Sequence, residues 1–342
     1  MQRRRIEWID IAKGIAIILV VLGHVISSYH EAQMYLDNDI FNFLFQVIYS
    51  FHMALFMVIS GYLSSIKNKH KGNKKKQILQ LLVNYGIPYI IFSLLWAFMK
   101  MMLAGYTNTP VSLKDILYMP IYPISFMWFI YALLIMQILH VLIEEKSRKF
   151  KRIYFAAAVI GYGTQSYLEK VLYEVDFTNC IWNDFLKFYL FFLIGAYFGE
   201  IILKKIENIK NVLVILTGMI LLIGNVILYV FINGTIKWLS LVISLMGCLF
   251  IIILSQKIKK SKILAYCGKN SLPIYVLQGF VIAGTRIILT RFGLNNPSGT
   301  FPLLACTIAG CLIPLVVYEF FSRIWKLEAI FYPGKYIKIK NE

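Results

Sequence analysis

Two histidines, a lysine and an aspartate lie inside stretches of this chain that are otherwise apolar enough to enter a membrane. Asp10, Lys13 and His24 belong to the run Trp8-Ile-Asp-Ile-Ala-Lys-Gly-Ile-Ala-Ile-Ile-Leu-Val-Val-Leu-Gly-His-Val25. An ionisable group in hydrocarbon costs roughly 2.5–3.5 kcal/mol on insertion scales, so three of them in one run call for a reason. Lys13 and His24 are eleven residues apart, close to three helical turns, which puts them on one helix face about 16 Å apart along the axis. Asp10, one turn before Lys13, falls near the same stripe. A second histidine, His52, lies near the outer end of the next apolar run, at a depth comparable with His24. An imidazole accepts and returns a proton near neutral pH, so the pair fits either proton-transfer catalysis or a proton relay. Asp10 and Lys13 also fit a plainer place at the membrane interface, with Lys13 snorkelling its ammonium to the headgroups.

The elements that must carry these groups are transmembrane helices. Of 342 residues, 59% are hydrophobic and only 15% charged, with a mean hydropathy of +0.69. That composition belongs to a polytopic membrane protein. The net charge of +18 does not point to nucleic acid, because the lysines are confined to short loops between apolar runs. Five cysteines show no paired framework and no metal-like spacing, so no metal is expected. Cys267 falls in a basic loop and Cys180 in an outer one.

The apolar runs predict an all-α bundle of about ten spans, at roughly 9–27, 43–66, 78–103, 126–143, 153–168, 183–203, 212–232, 236–255, 271–290 and 301–322. Every second connection is basic: Arg3 to Arg5, Lys67 to Lys76, Lys146 to Arg152, Lys204 to Lys210, Lys257 to Lys262, and the tail with Lys335, Lys338 and Lys340. Both termini are therefore expected on the cytosolic side. The basic run before the first span resembles a signal peptide, but the span is too long and contains Lys13, so it reads as an uncleaved helix. The whole chain, 1–342, reads as a single membrane-embedded domain. Arg286 and Arg291 break the charge pattern on the outer side, as interfacial anchors or as holders of an anionic group.

The second span holds Ser50-Phe-His-Met-Ala-Leu-Phe-Met-Val-Ile-Ser-Gly-Tyr-Leu63. Ser60 and Gly61 lie about 12 Å deeper than His52, toward the level of Lys13. A Ser-Gly pair admits a neighbouring helix or a ligand close to the backbone. Trp128, which opens the fourth span, fits an interfacial aromatic belt or a stacking platform for a sugar ring.

Together these residues resemble acyltransferase family 3, the bacterial integral-membrane O-acetyltransferases, and in particular its fucose 4-O-acetylase-like branch. The likeness runs over residues 5–280. It rests on Ile9-Asp-Ile-Ala-Lys-Gly-Ile-Ala-Ile17 with Gly23-His24, Phe51-His-Met-Ala-Leu-Phe56, Ile59-Ser-Gly-Tyr-Leu63, Met127-Trp-Phe-Ile130, Phe191-Phe-Leu-Ile-Gly195 and Gly268-Lys-Asn-Ser-Leu-Pro-Ile-Tyr-Val-Leu277. Two departures stand out. No cation occupies Gln77 to Tyr89 before Pro88, and the family's Tyr-x-Leu-His reads Tyr275-Val-Leu-Gln278, which leaves a hydrogen bond but no base.

The resemblance implies acetyl transfer from cytosolic acetyl-CoA to a hydroxyl of a cell-surface polysaccharide or its lipid-linked precursor, in the bacterial cytoplasmic membrane. His24 would take the hydroxyl proton, with His52 orienting or assisting. Lys13 would attract the donor and Asp10 would orient that lysine. Ser60 and Gly61 fall on the donor side. Trp128, Tyr275, Gln278 and Arg286 fall on the acceptor side. The expected partners are acyl-CoA, a carbohydrate acceptor and the lipid bilayer. Two readings from other classes use the same polar seam: a glycan exporter or flippase, and a proton-coupled transporter working through His24 and His52.

Overall fold

The computed structural model describes residues 6–68, 73–102, 111–144, 146–206, 211–232, 236–258, 260–296, 298–324 and 326–337. Arg3 to Arg5, loop residues 69–72, Lys210 and the tail lysines Lys338 and Lys340 lie outside them. No strand occurs among the described residues. The α-helices are α1 (Glu7–Glu31), α2 (Asp39–Asn68), α3 (Lys74–Leu81), α4 (Ile87–Met102), α5 (Leu113–Tyr118), α6 (Trp128–Ile143), α7 (Arg148–Val171), α8 (Ile181–Ile206), α9 (Asn211–Val226), α10 (Lys237–Ile258), α11 (Lys262–Lys269), α12 (Ser271–Arg291) and α13 (Thr300–Arg323). A π turn at Leu82–Gly86 joins α3 to α4, so that Lys74–Met102 makes one span.

The chain is a polytopic helical bundle. Among the described residues, nine helices are long and apolar enough to cross a membrane. They coincide with nine of the ten runs read from the sequence. The tenth run, 153–168, is also helical, within α7. Its middle is Gly161-Tyr-Gly-Thr-Gln-Ser166, and its first turn carries Arg148, Lys149 and Lys151, so its apolar content falls short of the others. The basic connection between α10 and α12 is not simply a loop. It contains the two-turn helix α11, capped by Ser261, whose side chain accepts the amide of Leu264. Cys267, read as a loop residue, is buried on α11, and Cys180, read as an outer-loop residue, is buried just before α8.

The helices form two compact units. The first comprises residues 1–56 and 202–323, the second 57–201 and 324–342; the division falls within α2 and within α8. In the first unit α1 is the central element, lined by α10, α11, α12 and α13. Its apolar residues are buried almost all round, with Ile11, Ala12, Ala16, Val21, Val25 and Ile26 closed to solvent, as a helix at the middle of a bundle must be.

Glycines set how closely the helices approach. A Cβ on Gly14 would sit 2.0 Å from the Leu264 carbonyl oxygen, and one on Gly268 only 1.8 Å from the Asp10 carbonyl oxygen. α1 and α11 are therefore packed backbone on backbone. Without a hydrophobic drive between helices in lipid, such close packing is a main source of association. In the second unit Gly61 faces the Phe192 carbonyl and Gly195 the Val58 carbonyl, each 2.0 Å from where a Cβ would lie. The C-terminal segment packs on the π turn: Gly334 lies against the Asn84 side chain, and Phe331 packs on Phe92 with ring centroids 5.2 Å apart. This is the stretch before Pro88 in which the sequence offers no cation.

Gly195→Val is expected to force α8 away from α2 and to destabilise the protein by about 1–3 kcal/mol, the usual range for an overpacked contact. Thermal unfolding in detergent measures this, with Gly284→Ala as control because nothing lies within 4 Å of a Cβ there.

Candidate functional site

The first unit brings Asp10, Lys13, His24 and His52 together with Tyr275, Gln278 and Arg286. Ser60, Gly61 and Trp128 belong to the second. α1 and α2 are antiparallel neighbours: His30 packs on Phe45 at 6.1 Å between ring centroids, and seven residues earlier Gly23 meets Tyr49 and Ile48. Gly23 matters for its size, because a Cβ there would lie 2.8 Å from the Tyr49 ring and 3.3 Å from the Ile48 side chain. His24 follows directly. His52 lies four residues past Ile48 on α2, about 6 Å along the axis by the helical rise. The two histidines thus lie on either side of the Gly23–Ile48 contact, within roughly a turn of each other in depth.

His52 is 1% exposed. Its Nδ1 lies 2.6 Å from the Ile48 carbonyl oxygen, and the Tyr49 ring stands edge-on to the imidazole at 4.8 Å. A carbonyl oxygen only accepts, so Nδ1 carries the hydrogen in this contact and the lone pair falls on Nε2. A backbone group therefore sets both the tautomer and the ring orientation, and leaves His52 Nε2 as the basic atom.

The α2 segment around His52 is braced from two directions. Asn225 of α9 is fully buried, donates to the Leu221 carbonyl at 2.8 Å and to Ser50 Oγ at 3.3 Å, and receives Gln46 on its own carbonyl at 3.0 Å. Ser244 of α10 donates to the Ser50 carbonyl, and Gly247 admits the Phe51 ring against the α10 backbone. These hydrogen bonds, Gln46 donating to the main-chain carbonyl of Asn225, hold the α2 segment in place, while Asn225 Oδ1 itself is buried with no partner. Asn225 and Ser244 were not among the residues singled out from sequence. Their signal was there, an Asn and a Ser inside apolar runs, but nothing in the sequence connects them with Ser50.

At the other end of the seam, Asp10 is buried and Lys13 half-buried, in the turns of α1 clasped by α11. α12 runs beside α1, with Gly310 of α13 packed against both Val21 and Ile282. One turn before Ile282, Gln278 is completely buried, and neither its Oε1 nor its Nε2 has a hydrogen-bond partner. Level with α1 between Lys13 and His24, that amide can both donate and accept. Tyr275, one turn earlier, is also buried, whereas Arg286 is half-buried with its Nε lacking a partner. Tyr29 Oη and Cys306 Sγ meet at 3.6 Å near the far end of α1.

In the second unit Gly61 has a packing role against α8, and Ser60 beside it is half-buried. Trp128 stacks on Phe188 with ring centroids 5.3 Å apart and planes 15° apart, which occupies one of its faces. Among the described residues no group of three or more His, Cys, Asp or Glu side chains stands together as a metal site would require.

The tautomer assignment can be tested in the folded protein. Histidine labelled with nitrogen-15 is expected to show the His52 proton on Nδ1, and Ile48→Pro, which alters the local backbone, is expected to shift the resonance. A proton resident on Nε2 would contradict the assignment.

A family model described as an acyltransferase domain matches residues 6–316. Nodulation protein NolL of Sinorhizobium fredii is 52% identical over 58 residues, which make up 16% of this chain and 15% of that protein. Nodulation protein NolL of Mesorhizobium japonicum is 50% identical over 58 residues, 16% of this chain and 14% of that protein. The chain thus matches about a seventh of the length of these relatives. No solved structure matches. The family model spans α1 through most of α13, including both histidines and the α11–α12 motif, and the chain belongs to the acyltransferase domain family.

Proposed function

We propose that this protein is an integral-membrane O-acetyltransferase, working as one embedded domain. In this reading it moves an acetyl group from cytosolic acetyl-CoA to a hydroxyl of a cell-surface polysaccharide or its lipid-linked precursor. The observation that carries the reading is the histidine pair: two imidazoles on adjacent helices at similar depth, one of them held by a backbone carbonyl with its basic nitrogen on Nε2.

The chemistry follows from that arrangement. As the sugar oxygen attacks the thioester carbonyl, its proton passes to an imidazole nitrogen, and the carbon–oxygen bond forms. The tetrahedral oxyanion then collapses, the carbon–sulfur bond breaks, and the departing thiolate takes the proton back. An imidazole can both accept and return a proton, which suits it to both transfers. His24 is assigned the proton transfer and His52 its support. Lys13, with Asp10 beside it on α1, draws the anionic donor toward the seam, and the buried Gln278 amide is suited to hold the acyl chain's polar atoms or the oxyanion. Ser60 and Gly61 stay on the donor side of the proposal, and Trp128, Tyr275 and Arg286 on the acceptor side. No metal enters this mechanism. The basic loops favour a cytosolic side for both termini, and the reading takes the membrane to be the bacterial cytoplasmic one.

With purified protein, label from radioactive acetyl-CoA is expected to appear in a polysaccharide acceptor. His24→Ala should lower that transfer by about 10²–10⁴-fold, the range of general acid–base catalysis, with the protein still folded. Transfer at the parental rate in His24→Ala would move the proton transfer to another group. Absence of both donor binding and turnover would favour the exporter. Gln278→Leu, which replaces an unpartnered buried amide by a hydrocarbon of similar size, is expected to raise thermal stability while reducing turnover.

A further inference from the structure

A second cluster of buried polar groups lies outside the histidine seam, within the second unit, where α6, α7 and α8 meet. His140, on the last turn of α6, is 1% exposed and Tyr189 of α8 is 4% exposed. His140 Nδ1, Tyr189 Oη and Tyr197 Oη are all buried with no hydrogen-bond partner. His140 Nε2 lies 3.3 Å from Glu144 Oε2, without the alignment of a hydrogen bond. The groups are close: the His140 ring lies 6.3 Å from Tyr197 and 5.8 Å from Phe192, whose ring is in turn 6.3 Å from Tyr189. An unsatisfied buried polar group costs on the order of 1–3 kcal/mol, and three together in an apolar bundle are a sign of something that binds there.

The cluster is connected through Glu144 to a strongly basic helix start. Glu144 links His140 to Lys151, whose Nζ is 3.7 Å from Glu144 Oε1. Lys151 lies in the first turn of α7, beside the exposed Arg148, Lys149 and Arg152. α7 is 24 residues long, and its N-cap, Ser147, accepts the Phe150 amide at 3.3 Å. Helix-start amides and four cations favour a phosphate. The tyrosine hydroxyls behind them favour carbonyl oxygens.

We propose that this corner binds a ligand in which carbonyl groups follow a phosphate. The phosphate rests on the start of α7, and the carbonyls accept from Tyr197 and Tyr189, with His140 at the back. Two kinds of molecule share that chemistry: an anionic glycerophospholipid, with ester carbonyls behind its phosphodiester, and an acyl-CoA, with amide carbonyls behind its diphosphate. The inference is read as binding and does not depend on acetyl transfer.

The test uses the full chain in lipid-free detergent micelles. Dissociation constants are measured for phosphatidylglycerol and for acetyl-CoA, with diacylglycerol and pantetheine as their phosphate-free counterparts. Two variants are compared with the parent: Tyr189→Phe with Tyr197→Phe, and Arg148→Gln with Lys149→Gln and Arg152→Gln. At least one phosphate-bearing probe should bind, and should weaken about tenfold or more in each variant, as expected for two lost hydrogen bonds or three lost cations. Its phosphate-free counterpart should not bind. Loss with phosphatidylglycerol assigns the site to lipid, and loss with acetyl-CoA assigns it to the donor. Failure of both probes to bind overturns the proposal. So does binding that only the cation variant weakens, or that neither variant weakens. Both variants change surface charge or remove a hydroxyl in place, so thermal unfolding at or above the parental temperature shows that the fold is kept.

Discussion

The structure of the first unit depends on how closely α1 is approached by its neighbours. A helix that carries Asp10, Lys13 and His24 cannot face lipid, so it must be enclosed. Enclosing it in turn requires helices that reach its backbone. Gly14 and Gly268 let α11 lie on the turns of Asp10 and Lys13, Gly23 lets α2 lie beside His24, and Gly310 closes the side between them. One added carbon would collide with backbone at Gly14 and Gly268 and would push side chains aside at Gly23 and Gly310. The polar seam is thus held by glycines, and its geometry is only as fixed as those contacts are tight.

The same constraint explains why the supporting polar residues are where they are. Once α2 is pressed onto α1, its carbonyls and hydroxyls around Ser50 and His52 have no water to turn to. Asn225 and Ser244 meet those at Ser50, and the Ile48 carbonyl meets His52 from within its own helix. The imidazole gains a defined tautomer from that confinement. Gln278 is enclosed beside α1 with both amide atoms unpartnered. A buried amide left open at the level between Lys13 and His24 is consistent with a surface shaped for something that passes along the seam.

Much of this was legible in the sequence. Long apolar runs need backbone hydrogen bonds made within the segment, so helix positions follow almost directly from hydropathy. The shared face of Lys13 and His24, and the comparable depth expected for His24 and His52, follow from helical rise and the short α1–α2 connection. Other features were not legible. α11 has only five residues, Ile263 to Cys267, of apolar or aromatic character between flanking lysines, too few to show a period, so it read as loop. α7 read as a span equal to the rest, although its Gly161 to Ser166 segment dilutes it. The brace from Asn225 and Ser244 joins positions about 175 and 194 residues from Ser50, and no local pattern announces a contact over such a separation. Gly61 read as either a ligand or a packing position, and only the position of the Phe192 carbonyl identifies its packing partner.

The central claim is that His24 and His52 serve one proton transfer. Single-turnover acetyl transfer measured for His24→Ala, His52→Ala and the double variant tests it directly. Residues that act as a unit are strongly non-additive, so the double variant should be no slower than the slower single one. Losses that multiply in the double variant would mean that the two histidines act independently, and would contradict the account.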